Sequence, residues 1–223
     1  MPNWCATNYL LRGPKEKIQD FCNKVNSCVD KPDVLPNNFG KLWLGNLYAV
    51  FENETDQKTI MSADVRGCLD PDPESEACLF GPEGNVRYLY PEKDILTEEK
   101  DWMHIAFSTQ TAWDMSRWLN RMLKEKYPEL EVSFKTTDEF GNFHKCHNPG
   151  RMGIKHIEIW HHDHKEYFLD SAEEAANLIL NISGLDFTKE DIENESEEFC
   201  RKINEYNENH EDEELEITVW KLI

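Results

Sequence analysis

The chain has no long apolar run. Its hydrophobic fraction is 39% and its longest stretches, such as residues 178–180, span only a few positions, far short of the roughly 20 residues that cross a bilayer as a helix. The first residues lack both the basic and the apolar segment of a secretory signal, which argues against export by that route. Seven cysteines form an odd set with no Cys-x-x-Cys spacing, so a disulfide framework is disfavoured and free thiols in a cytoplasmic, reducing setting are expected. Clustered lysine and arginine are missing as well, and a net charge of −20 argues against direct nucleic-acid binding. No stretch has the spacing of a known catalytic or cofactor motif, so nothing in the sequence calls for a catalytic residue, a cofactor or a membrane partner.

What is present is a heavily charged chain of 223 residues with seven Trp and eleven Phe, enough for a sizeable core. Trp4, Tyr9 and Leu11 sit among β-favouring residues that run into Gly13-Pro14, which predicts a buried first strand. Ile18, Phe21, Cys22 and Val25 then recur at helical spacing. Residues 42–51 read as a hairpin, or as one strand broken at Gly45-Asn46, after a Pro- and Asn-containing loop.

Residues 52–100 read as an insertion with a small β-element, turning at Asp70-Pro71-Asp72-Pro73 and Gly81-Pro82. A strand over 102–108 follows, then a helix that places Trp113, Trp118, Met122 and Leu123 on one face, then a strand over 130–136 closed by residues 138–142. This order predicts an α+β fold for residues 1–149, a ferredoxin-like βαββαβ sandwich with the insertion inside it.

Met1-Pro2-Asn3-Trp4-Cys5 with Asn8 and Gly13, Thr111-Ala112-Trp113, Tyr127-Pro128-Glu129-Leu130, and Glu139 with Gly141 carry a resemblance across about the first 145 residues. They resemble the YubB-type ferredoxin-like family, a domain of unknown function found in plasmids, phages and conjugative elements. The resemblance implies a fold and a mobile-element origin and brings no activity with it.

Residues 150–223 read as a smaller acidic ββααβ lobe. Alternation over 154–160 and 166–169 predicts a hairpin, Asp170 or Ser171 caps a helix ending near Gly184, Thr188 opens another, and residues 215–222 form a last strand. Within 186–216 there are fourteen Asp or Glu against Lys189, Arg201 and Lys202, so more than half the net charge sits there. That face suits a basic protein partner, with Glu197, Glu198, Glu213 and Glu214 as candidate contacts, although a merely solvated helix surface explains the same composition.

Two other classes remain open. His144, Cys146, His147, His156, His161 and His164 fall within twenty-one residues and offer imidazole and thiolate to zinc, without the paired-ligand spacing of a structural site. Alternatively, the sandwich dimerises through its sheet edges. Asp138 with Glu139 as an acid–base pair, Cys146 beside His144 and His147 as a nucleophile and base, and Trp113 and Trp118 with Arg117 and Arg121 as a stacking platform are each outweighed by plainer readings, namely exposed turn acids, sequence neighbours, and a core-facing Trp pair.

Overall fold

The computed structural model describes residues 3–69, 79–80, 86–87, 89, 92–93, 101–140, 144–148, 152, 156–161, 165–210 and 214–223. The expected turns at 70–73, 81–82 and 141–142, and positions Cys78, Gly150, Ile154, Lys155, His162, His164 and Glu213, lie outside the described residues. The chain is mixed α+β and folds as two compact units, Met1–Phe143 and His144–Ile223. The latter begins ahead of the break read at 149/150. No helix among the described residues is long and apolar enough to cross a membrane.

The first unit is organised around β1 (Trp4–Pro14), which leads directly into α1 (Lys15–Asp30). α2 (Leu44–Glu52), α3 (Gln57–Ser62), β2 (Gly67–Leu69), β3 (Leu79–Phe80), β4 (Val86–Arg87) and β5 (Glu92–Lys93) follow. β6 (Trp102–Ala112), α4 (Arg117–Lys126) and β7 (Glu131–Asp138) complete it. β1 is antiparallel to β6 from Trp4↔Ala112 to Pro14↔Trp102, and antiparallel to β7 from Cys5↔Asp138 to Arg12↔Glu131. β2 and β5 both pair antiparallel with the far edge of β6, so the main strands run in the order β7, β1, β6, β2. Part of the segment read as an insertion is therefore sheet.

Alternation assigns the faces. Cys5, Thr7, Tyr9 and Leu11 point inward from β1 and are buried, while Asn8 between them is exposed. Tyr9 and Leu11 join Ile18, Phe21, Cys22 and Val25 of α1 and Trp118, Leu119, Met122 and Leu123 of α4 in one core. The Tyr9 ring stacks on Phe107 at 4.9 Å, and Phe21 stacks on the same ring at 5.7 Å. Burying each such side chain stabilises the fold by about 1.5–3 kcal/mol, which makes this layer the main source of cohesion in the unit.

The strand expected over 42–51 is corrected, because Leu44–Glu52 form α2. Leu44, Leu47 and Phe51 are buried at helical spacing, and Gly45 lies under the Trp43 ring, where a β-carbon would collide with it. Asn46 is buried rather than in a turn. Its side chain donates to Asp33 Oδ1 and the Lys41 carbonyl and accepts from the Val34 amide, tying down the preceding loop.

The second unit holds β8 (His144–His147), β9 (Ile157–His161), β10 (Lys165–Leu169), α5 (Ala172–Ser183), α6 (Lys189–Asn194), α7 (Glu197–Asn209), β11 (Leu215–Val219) and β12 (Lys221–Leu222). β9 is the centre of an antiparallel sheet ordered β10, β9, β11, and β12 pairs in parallel with β8. Ile157, Ile159, Leu215 and Val219 pack against Ala175, Ile179, Ile192, Phe199 and Tyr206. The helices start where their caps stand: Ser171, Thr188 and Ser196 each accept a hydrogen bond from the backbone amide three residues on. The single helix expected from Thr188 is two, broken at Glu195 with φ 46°, and the final strand divides at Trp220. Among the described residues the second unit thus carries three helices and a further strand pair, β8 with β12, beside the expected ββααβ.

Candidate functional site

Among the described residues the histidine-rich segment does not converge. His144 is half-buried on β8 with its ring edge-on to Trp220 at 5.3 Å, and Cys146 is buried opposite Leu222. His147 is exposed and its Nδ1 donates to the Ile223 carbonyl at 2.6 Å. His156 precedes β9 and His161 ends it, so the extended backbone separates them by about 17 Å. Zinc requires its ligand atoms within about 2.3 Å of one ion, and strand geometry holds these two apart. Among the described residues no three His, Cys, Asp or Glu side chains are grouped to hold a metal. Burial, and then the nearby Glu158 carboxylate, push the Cys146 thiol above its usual range, which disfavours the thiolate a nucleophile needs.

Asp138 and Glu139 are not an exposed pair. Asp138 closes β7 on the inward side, only 6% exposed, and accepts from Asn3 Nδ2 at 2.7 Å; the Glu139 amide donates to the Trp4 carbonyl at 2.8 Å and its side chain is exposed. Trp113 and Trp118 are not a core pair either. Trp118 is buried in α4, whereas Trp113 precedes the helix at φ 70°, is 52% exposed, and lies under the Arg66 guanidinium at 4.5 Å. Arg117 is exposed at the start of α4.

Sequence reasoning missed what these positions build together. The Trp113 amide donates to the Asn3 carbonyl at 2.6 Å, so Asn3-Trp4-Cys5, Thr111-Ala112-Trp113 and Glu139, which carry part of the resemblance noted above, meet at one end of the sheet. Behind them the inward face turns polar. Thr7 donates to Thr136 at 2.8 Å with both buried, and the fully buried Thr109 hydroxyl has no hydrogen-bond partner among the described residues. The alternation of Thr7, Thr109, Thr136 and Asp138 with outward residues was the available signal. A separate cleft of ≈ 210 Å³ lies between α1 and α2, lined by Cys28, Lys31, Val34, Asn46, Asn53 and Glu54. It is smaller than the roughly 300 Å³ at which small-molecule sites begin.

The acidic segment is described apart from residues 211–213. All three of its cations are paired within the chain: Arg201 donates to Glu198 at 2.7 Å and to Glu205, Lys202 reaches Glu198 at 3.6 Å, and Lys189 reaches Glu193 at 3.4 Å. The Arg201 hydrogen bonds hold the Glu198 carboxyl below its usual range, so this candidate contact is already engaged. Glu190, Glu197, Glu208, Glu214 and Glu216 are exposed and form no ion pair among the described residues. Comparison with protein-family models, curated proteins and solved structures found no match to this chain.

Proposed function

We propose that this protein is a non-catalytic interaction module that engages a basic protein through its acidic second unit. The observation that carries the reading is the imbalance on α6, α7 and β11: Lys189, Arg201 and Lys202 are matched internally, which leaves exposed carboxylates such as Glu197, Glu214 and Glu216 without an ion-pair partner among the described residues. A like-charged surface of this kind draws in a cationic partner over a distance set by ionic strength. The same proposal takes the first unit as a ferredoxin-like scaffold of mobile-element origin. Supporting the ferredoxin-like scaffold are the all-antiparallel order β7, β1, β6, β2 and the two helices α1 and α4 that leave β1 and β6.

The test is titration of the full chain against a defined basic protein, cytochrome c, at about 0.05 M and about 0.3 M salt, with charge reversal at Glu197, Glu198, Glu213 and Glu214. Affinity is expected to fall by about tenfold or more on raising salt and again on charge reversal. Affinity unchanged by both overturns the reading.

A further inference from the structure

Arg66 is held in place by a ring rather than by a carboxylate. Its guanidinium lies 4.5 Å from the centroid of the Trp113 indole, and the residue is exposed with no ion pair among the described residues. Arg12, Lys17 and Lys126 of the same unit, by contrast, pair with Glu131, Glu129 and Glu52 at 2.6–3.0 Å. The backbone fixes both the arginine and its ring. The Ala112 amide donates to the Arg66 carbonyl at 3.0 Å and the Trp113 amide to the Asn3 carbonyl at 2.6 Å. Trp113 stands there at φ 70°, a conformation that bulky residues rarely adopt, with 52% of its surface exposed. The turn that follows is tied to the same segment: Arg117 donates its amide to Asp64 Oδ2 at 2.8 Å, and Ser116 its hydroxyl to the Asp64 carbonyl at 3.1 Å. Arg117 therefore starts α4 beside the stretch that carries Arg66, and it too is exposed with no ion pair among the described residues. Two carboxylates share this turn, and each accepts a backbone amide, Asp64 that of Arg117 and Asp114 that of Met115.

We propose that Arg66, Trp113 and Arg117 form a binding site for a mononucleotide, with the base against the exposed part of the indole and the phosphate on the two guanidinium groups. A guanidinium lying over an indole is steadied by the ring, yet its N–H donors stay in its own plane and remain available edge-on to an oxyanion. Arg66 is thus a pre-positioned fork, and closing it on a phosphate requires less ordering than a free side chain would. Charge sets the class of ligand. Two unpaired arginines match the charge of about −1.5 to −2 on a phosphate monoester, whereas a single carboxylate leaves one arginine unmatched. Every nucleobase offers a flat π-face to an indole, so the aromatic part selects a planar group without choosing the base. The net charge of −20 opposes a long polyanion far more than one phosphate seated directly on two arginines, which sets a mononucleotide apart from a nucleic-acid strand. The site belongs to the first unit and stands independently of the acidic second unit.

The experiment titrates AMP into the full chain by calorimetry, with adenosine, inorganic phosphate and an oligothymidylate as parallel ligands. AMP is expected to bind about tenfold more tightly than adenosine or inorganic phosphate, because each of these lacks one half of the contacts. Arg66→Gln is expected to weaken AMP binding by about tenfold, and Arg117→Gln and Trp113→Leu by about fivefold each. Arg121→Gln removes an exposed arginine further along the same helix and is expected to leave AMP binding unchanged. Trp113→Phe keeps a ring beneath Arg66 and is expected to recover part of what Trp113→Leu loses. Equal effects of Arg66→Gln and Arg121→Gln, adenosine or inorganic phosphate binding as tightly as AMP, or a wild-type chain that does not bind AMP each overturn the assignment. An oligothymidylate that displaces AMP overturns it in favour of single-stranded nucleic acid. Should Trp113→Leu melt early, the exposed Arg66→Gln and Arg117→Gln carry the test with the same overturning results.

Discussion

The indole of Trp118 donates to Glu52 Oε1 at 3.1 Å, joining α4 to the end of α2. Lys126 closes the other side, with its ammonium 2.6 Å from Glu52 Oε2 and donating to the Phe51 carbonyl at 2.6 Å. Trp118 is buried, so its N–H has to be met inside the protein, and Glu52 meets it at the protein rim.

Glu52 sets the first prediction, a pH dependence. Burial pushes its carboxyl up, but the donors Lys126 and Trp118 outweigh burial and hold it below its ordinary value of 4.5. A depressed folded value means that its stabilisation is complete above the ordinary value and is lost as pH falls through the folded one. Glu52→Gln is expected to cost about 0.5 kcal/mol at neutral pH, since the pair is partly solvated, and to converge with the parent in acid. Thermal melts across the acid range check this, and a constant gap between the two proteins contradicts it.

The edge strand β2 depends on Gly67. A β-carbon there would fall on the Gln110 carbonyl oxygen and within 2.9 Å of the Thr111 Cα, both of them backbone of β6. Gly67→Ala is expected to destabilise by about 2 kcal/mol, read as a lower urea midpoint, because neither obstacle can rotate away.

The elements legible in the sequence were those whose pattern and punctuation agree. Gly13-Pro14 closes β1, Ser171 and Gly184 bracket α5, and Pro128 follows α4. α2 was misread because Gly45-Asn46 looks like a turn, while the helical spacing of Leu44, Leu47 and Phe51 says otherwise; only the Trp43 ring over Gly45 and the buried contacts of Asn46 explain those two residues. Asp138 was read by type as a turn acid, although the alternation of Phe134 and Thr136 already aimed it inward. The Arg66–Trp113 contact joins the start of β2 to the end of β6, and register across strands is set by tertiary pairing rather than by local spacing.

Thiol reactivity separates the cysteines by burial. Burial pushes Cys22 up to about 12 and Cys28 up to about 11, so both stay protonated in the folded chain, whereas Cys200 is exposed. Alkylation at mildly alkaline pH with peptide mapping is expected to label Cys200 quickly and to leave Cys22 and Cys28 unmodified until denaturant is added. Rapid native labelling of Cys22 contradicts the packing of α1.

The break between α6 and α7 rests on a cap. Ser196 accepts from the Phe199 amide at 3.1 Å and donates to Asp191 at 3.2 Å. Ser196→Ala is expected to lower stability by about 1 kcal/mol in urea unfolding, and Ser196→Asp, which retains an accepting oxygen at the cap, to recover most of it.

The central place of β1 also orders events in time. Thr7 and its partner Thr136 are 129 residues apart, and β6 on the other side is nearly as distant. At a synthesis rate of about 5–20 residues per second, β1 waits on the order of 10 s with both edges bare until β6 exists, and its other edge waits longer for β7. During that interval its inward Tyr9 and Leu11 and its unpaired backbone are open to any neighbouring strand, so the segment on which the first unit is built is also the one at which a nascent chain is most exposed to mispairing.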